Sequence, residues 1–337
     1  MTVLCKLANG EKIWPPPIWL MRQAGRYLPE YNVVRNKAGS FLDLCYKPEY
    51  ASEVTLQPIE RFDLDAAIIF ADILLIAQNF GIKLRFLEEI GPVLEKSLLD
   101  SPKLGEVTQV EGSKLMNIGD AINLTRARLP KEKSLIGFCG APWTVMTYII
   151  NGGSKKDFSQ AIKWMEVNSS LASEMIDILV ELSASYLILQ ISAGADVVKI
   201  FDSWAGLISP EDLPNYCYIP NLKIVNFCKE KKIPVMCFPK GLNKNYKEFN
   251  NIVKPDAISL DYDIDPAWAK QNLTDVVLQG GLDPKLLLSS EKEIFEGAKK
   301  YLDIFKDLPY IFNLGHGLLP ETDPDKVSKL IKFYREY

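Results

Sequence analysis

Eight short apolar runs, bounded by turn residues, divide the chain: IWLM (18–21), AAIIF (66–70), LIGFC (135–139), ADVVKIF (195–201), IPVMCF (233–238), AISL (257–260), VVLQG (276–280) and YIFNL (310–314). Runs of this length and composition read as buried strands. Helical patterns separate them, over 48–62, 209–232, 291–306 and 323–337, with room for two helices in 157–194. Alternation of strand and helix specifies a parallel sheet covered by helices. Eight units specify an α/β fold closed as a single-domain (β/α)8 TIM barrel over 1–337. A doubly wound open sheet is the runner-up, disfavoured by the count and by the lack of GxGxxG after the first run. KLRFLEEIGPVLEKS (83–97) reads as an inserted hairpin turning at Ile90-Gly91-Pro92.

Composition narrows the function. The 39 Lys+Arg residues face 43 Asp+Glu, a net charge of -4, so charge gives no support to nucleic-acid binding. The opening MTVLCKLANGEK lacks the pattern of a signal peptide. LIGFCGAPWTVMTYII is too short and too interrupted to span a membrane. Cys5, Cys45, Cys139, Cys217, Cys228 and Cys237 are scattered with no CxxC, which reads as reduced thiols in a cytoplasmic protein.

In a barrel the chemistry lies at the C-terminal ends of the strands. There the sequence gathers small and polar residues: Met21-Arg22-Gln23-Ala24-Gly25-Arg26, Phe70-Ala71-Asp72, Gly140-Ala141-Pro142-Trp143 with Tyr148 beyond, Asp202-Ser203-Trp204, and Asn313-Leu314-Gly315-His316-Gly317. In the stretch 16–35, Arg22, Arg26 and Arg35 share one acid, Glu30. Arg22 and Arg26 beside glycine at the end of a core strand point to anion binding rather than structural pairing. Asp72 is open between a site role and an N-cap for the following ILLIAQNF. Asp202 and Ser203 could simply start a turn, and Tyr148 is by default a core residue. His316, the one histidine of the chain, is open between core and site.

Metal, nucleophilic and phosphate-loop chemistries find no motif: His316 has no second histidine, Ser203 no GxSxG, and no glycine-rich phosphate loop occurs. An arginine-rich mouth holding a carboxylate suits a small molecule with several carboxylates, which guanidinium binds in a two-toothed fashion. The ligand would supply the missing counter-ions.

Two long signatures carry a resemblance. Residues 16–31 fit PPxWxMRQAGRYLPEY, and 137–148 fit GFxGxPWTxMTY. FADIL, FDSWAG, GLDP and NLGHGLLPETDP extend the likeness from the first run to the last. Together they resemble the uroporphyrinogen decarboxylase family. The resemblance implies a barrel enzyme, a carboxy-lyase working as a homodimer. It implies conversion of uroporphyrinogen III to coproporphyrinogen III in haem (porphyrin) biosynthesis, with loss of four acetate carboxylates and no cofactor or metal. It maps substrate binding onto Arg22, Arg26, Arg35, Asp72, Tyr148, Ser203 and His316. The chain departs from the family pattern at Asn151 and Asn32, both beside the motifs.

The chemistry these residues permit uses the pyrrole ring, protonated on carbon, as its own electron sink. Asp72 is expected to stay ionised and accept the pyrrole N–H groups. Arg22 and Arg26 hold carboxylates, with Arg22 assigned a share in catalysis, while Tyr148, Ser203 and His316 bind and orient. Two rivals stand beside this reading. Zinc- and cobamide-dependent methyltransferases share the barrel, but their later cysteine is missing after His316. A non-catalytic tetrapyrrole carrier would use the same arginines.

Overall fold

Ser134–Gly140 and Val197–Asp202 are buried along their whole length, as strands covered on both faces must be. They belong to a computed structural model describing residues 1–337 except 88–89, 101–106, 108, 111 and 154–157. The strands are β1 (Ala66–Ile68), β2 (Leu84–Leu87), β3 (Gly91–Leu94), β4 (Ser134–Gly140), β5 (Val197–Asp202), β6 (Val235–Pro239), β7 (Ala257–Leu260), β8 (Val277–Gly280) and β9 (Tyr310–Ile311). Seven form one parallel sheet in the order β1-β4-β5-β6-β7-β8-β9, so nearly every crossover joins neighbours. Helices fill the crossovers and start where side chains satisfy their free N–H groups: Asp265, Ser290 and Asp323 each accept a backbone N–H at a helix start.

Two apolar clusters pack on the sheet. One, the larger, is shared with the helices and also takes in Phe138, Phe201 and Phe238. The other carries Trp19, Ala66, Ile136, Val197, Met236, Ala257, Val277 and Ile311. Leu4 and Leu7, on the short helix Val3–Ala8, join this second cluster. That helix is pinned at the N-terminal ends of the strands by Leu4 N–H to Ser134 Oγ, 3.0 Å.

The first apolar run differs from expectation. IWLM forms no ladder strand: a single parallel bridge joins Ile18 to Phe312. Pro15, Pro16 and Pro17 offer no N–H, and Pro17 contributes only its carbonyl, to Phe312 N–H at 2.9 Å. On the β1 side, side chains replace part of a ladder. Asp65 Oδ2 accepts Ile18 N–H at 2.7 Å, Gln23 Nε2 donates to the Ala66 carbonyl at 3.1 Å, and Asp65 N–H reaches the Ile18 carbonyl at 2.8 Å. Segment 17–20 therefore touches both outer strands of the sheet, β9 through Phe312 and β1 through Asp65.

The inserted hairpin is present as β2 and β3, paired Leu84↔Leu94 to Leu87↔Gly91. Its turn comes earlier than expected: Gly91 and Pro92 lie in β3, and the connection is 88–90, of which 88–89 fall outside the described residues. Segment 157–194 does give two helices, Ser159–Val167 and Ser169–Ser192. The second is long and apolar enough to cross a membrane. Here it packs on β4 and on neighbouring helices, with more than half of that apolar stretch buried in the fold. All six cysteines are free, and five are buried.

One charged group lies inside the sheet's inner face. Lys199 of β5 is 1% exposed. Its ammonium contacts Ser259 Oγ and is surrounded by the rings of Trp19, Phe201 and Phe238 at 5.3–5.8 Å. Gln279 completes the layer, accepting Trp19 Nε1–H at 3.0 Å and donating to Ser259 Oγ at 2.6 Å. Burial pulls Lys199 down to about 7. The unfolded chain therefore holds a proton that the folded chain has shed between about pH 7 and the lysine's ordinary value, and stability rises with pH across that window. Lys199→Met should stabilise the fold by about 2–4 kcal/mol at pH 7. The gain should shrink towards pH 10. Denaturant unfolding at both pH values checks this, and an equal or lower stability at pH 7 refutes it.

Candidate active site

The mouth is built around a turn that few residues tolerate. After segment 17–20 the chain reverses at Arg22, whose φ is +63°. A left-handed backbone costs a residue with a Cβ about 1 kcal/mol. The surroundings impose it. Met21 N–H is held by Asn313 Oδ1 at 2.9 Å, and the Met21 carbonyl accepts Leu318 N–H at 2.9 Å. Gln23 Oε1 accepts Leu20 N–H at 3.0 Å from below. The Arg22 side chain then crosses Gly317, where a Cβ would lie 2.3 Å from its Cδ. The first signature and the Gly-His-Gly segment are thus one unit, although nearly the whole chain separates them.

None of Arg22, Arg26 and Arg35 has a carboxylate partner among the described residues. Glu30, the one acid of their stretch, pairs instead with Arg61 at 3.2 Å. Asn32 Nδ2 ties the Arg26 carbonyl to the following helix at 2.9 Å. Asn151, the other departure from the family pattern, is a buried residue closing the helix Pro142–Asn151. Arg35 is half-buried on the helix Pro29–Ala38, and with Arg26 it acts electrostatically on Tyr31.

Asp72 Oδ1 accepts Leu74 N–H at 2.8 Å, but the cap position of the 3-10 helix Leu75–Phe80 is Leu74, so Asp72 is not its N-cap. Asp72 as a residue is half-buried. Burial raises it above the ordinary carboxylate range, opposed by the Leu74 N–H and by Arg22. Burial likewise raises the half-buried Tyr148 hydroxyl, with Asp72 adding to the shift and Arg22 opposing it. Arg22, Asp72 and Tyr148 therefore share one electrostatic environment.

The second signature is mostly scaffold. Thr144 Oγ1 donates to Asp202 Oδ1 at 2.7 Å and accepts Trp204 N–H at 3.2 Å, while Trp143 Nε1–H reaches the Trp204 carbonyl at 2.9 Å. Asp202 is buried, also held by Asn221 at 3.3 Å, and pushed up to about 6 by that burial. These bonds fix the turn after β5 on which half-exposed Ser203 sits. Trp204 lies 6.3 Å from the Tyr148 ring, centroid to centroid.

His316 is partly accessible, 6.5 Å from the Phe238 ring. Burial, Arg22 and Lys240 push it down to about 3, so it is a neutral imidazole in ordinary buffers. Lys240 is absent from the residues picked out of the sequence. It follows β6 in Phe238-Pro239-Lys240-Gly241, and a cation directly after the fifth apolar run was the signal that could have found it.

The class is that of parallel α/β proteins, with guanidinium groups that form no ion pair among the described residues, a carboxylate and a neutral imidazole beyond the C-terminal ends of the strands. The profile of the family described as Uroporphyrinogen decarboxylase (URO-D) matches residues 2–337. The uroporphyrinogen decarboxylase of Jannaschia sp. is 43% identical over 337 residues, covering 98% of each chain. That of Rickettsia bellii is 44% identical over 324 residues, covering 96% of this chain and 95% of the relative. The chain belongs to the uroporphyrinogen decarboxylase family. In fold it is similar to a methyltransferase from Methanosarcina mazei, with a TM-score of 0.79 at 19% identity over 99% of this chain and 97% of that one.

The crossing of Arg22 over Gly317 is testable. Gly317→Ala should displace the guanidinium and weaken binding of an octacarboxylate porphyrin about tenfold, with the melting temperature nearly unchanged. Fluorescence titration beside thermal unfolding checks it. Unaltered affinity would show that Arg22 does not hold the ligand.

Proposed function

We propose that this chain decarboxylates uroporphyrinogen III, converting its four acetate side chains to methyl groups and giving coproporphyrinogen III. The observation that carries the reading is the set of three arginines without ion-pair partners among the described residues, one of which, Arg22, acts on Asp72. An octacarboxylate macrocycle supplies those counter-ions, and its inward-facing pyrrole N–H groups suit a carboxylate acceptor.

For each acetate, a proton added to a ring carbon turns the pyrrole into an iminium. The bond between the methylene and its carboxylate then breaks, the electron pair moves into the ring, and CO2 departs. A proton returns to the exocyclic methylene, leaving a methyl, and loss of the first proton restores the pyrrole. The net change is one carboxylate and one proton becoming CO2 and a methyl C–H. The ring is the electron sink, so the step draws on no cofactor or metal.

Asp72, ionised, accepts the pyrrole N–H groups and stabilises the iminium, an electrostatic effect of the kind that is usually the largest in catalysis. Arg22 holds a carboxylate over the reacting ring and shares in proton delivery. Arg26 and Arg35 bind outer carboxylates. Tyr148, Ser203 and neutral His316 orient the substrate by hydrogen bonds. The same reading takes 1–337 as a single-domain (β/α)8 barrel, closed by segment 17–20, working as a homodimer in the cytoplasm. The closure is supported by the contacts of that segment to both outer strands; the dimer and the compartment rest on the family resemblance.

Anaerobic incubation of metal-stripped protein with uroporphyrinogen III tests the activity, with products oxidised and separated by carboxylate number. Stepwise loss from eight carboxylates to four is expected, and no loss refutes the reading. Asp72→Asn should keep substrate binding and lower kcat about a hundredfold or more. A kcat within a factor of two of wild type would remove Asp72 from the chemistry. Arg26→Ala should act mainly through KM, raising it about tenfold, and an unaltered KM would remove Arg26 from the binding set.

A further inference from the structure

The strands meet the mouth at different points of the sheet order. Segment 17–20, which leads directly into the turn at Arg22, touches the two outer strands. β6 is the middle strand of the seven, and Lys240 directly follows it. Lys240 therefore stands as far from the Arg22 segment as the sheet order permits, at the same end of the strands.

Its backbone is fixed. Lys240 N–H donates to the Asp202 carbonyl at 3.1 Å, and the Lys240 carbonyl accepts Gly206 N–H at 2.9 Å. The turns after β5 and β6 touch backbone to backbone, since a Cβ on Gly206 would lie 2.8 Å from the Gly241 carbonyl oxygen. Its side chain is half-buried, with the ammonium 6.0 Å from the centroid of the Tyr262 ring.

The acids that could neutralise it are engaged elsewhere. Asp202 is turned to Thr144 and Asn221. Asp261 Oδ2 accepts Gly241 N–H at 2.7 Å and the Tyr246 hydroxyl at 2.9 Å, and its Oδ1 accepts the N–H groups of Asp263 and Ile264. Asp263 and Asp283 act on Tyr262, yet neither forms an ion pair with Lys240 among the described residues. A half-buried cation at a strand end, with no ion pair to its neighbouring carboxylates among the described residues, calls for an external anion as the arginines do.

Resting on the decarboxylase reading, we propose that Lys240 is a further substrate-binding cation, gripping a carboxylate on the edge of the macrocycle opposite the edge held by Arg22. Two cations on opposite sides suit a ring bearing carboxylates around its whole rim. Both also act electrostatically on His316, whose ring lies 6.5 Å from that of Phe238. Lys240 thereby helps keep that imidazole uncharged in the empty site.

Lys240→Met and Lys240→Arg, in the full-length protein, test the assignment. Steady-state decarboxylation of uroporphyrinogen III should show a KM raised about tenfold in Lys240→Met, with a much smaller change in kcat, and restored to within about threefold in Lys240→Arg. His316 is the only histidine, so its NMR titration needs no assignment. Its pKa should rise by about half a unit in Lys240→Met and stay low in Lys240→Arg. Lys240→Gln replaces Lys240→Met should the latter unfold. A KM within twofold of wild type in the methionine variant would overturn the role of Lys240, whatever the histidine does. No turnover by the wild type would instead overturn the decarboxylase reading on which it rests.

Discussion

The site depends on the left-handed turn at Arg22. Its φ of +63° is a conformation that glycine adopts freely and arginine does not. The protein holds it with bonds from Asn313, Leu318 and Gln23 and clears its path with Gly317. A glycine at 22 would relieve the backbone and remove the guanidinium. The retained strain is of the kind that persists where geometry is needed for function. The same turn explains why the first apolar run is not a ladder strand. Three prolines precede it and the reversal follows it, leaving room for one bridge to Phe312 and for side-chain bonds from Asp65 and Gln23.

Electrostatics at the mouth follows from what the fold withholds. Glu30 pairs with Arg61, Asp202 faces Thr144 and Asn221, and Asp261 collects backbone N–H groups. Acids near the site are thus assigned to structure, while Arg22, Arg26 and Arg35 keep their charges. Asp72 is the exception that remains partly open, and it feels the field of Arg22. A neutral His316 fits this scheme. Burial, with the charges of Arg22 and Lys240 adding to it, keeps the imidazole without a proton, so it offers hydrogen bonds instead of a further positive charge.

Much of this was legible because strand periodicity and motif spacing are local properties. Seven of the eight apolar runs are ladder strands, and the end-of-strand rule brought Arg22, Asp72, Tyr148 and His316 together electrostatically. What was not legible depended on partners distant in sequence. The hairpin turn was misplaced because Gly91-Pro92 is a strong local turn signal, yet those residues pair with Leu87 and Phe86. Lys199 looked like one residue of an apolar run, and only the sheet shows that it points among three rings. Thr144 and Trp143 belong to a signature that reads as a site, but they bind the turn after β5.

That division between scaffold and contact bears on how one site accepts a ligand that changes during reaction. Each decarboxylation removes one negative charge and leaves a smaller group, so a mouth complementary to a single charge pattern would release its intermediates unevenly. Cations on extended side chains from separate turns, joined to the sheet by rigid backbone contacts, meet the opposite need. Arg22 lies between neighbours held by backbone bonds and Lys240 is held by its own, and neither forms an ion pair among the described residues. On the proposed reading their side chains are left to follow whichever carboxylates a given intermediate retains. Asp72, anchored by Leu74 N–H, keeps its position, and the pyrrole N–H groups that the proposed reading assigns to it are a part of the ligand that is the same before and after every step.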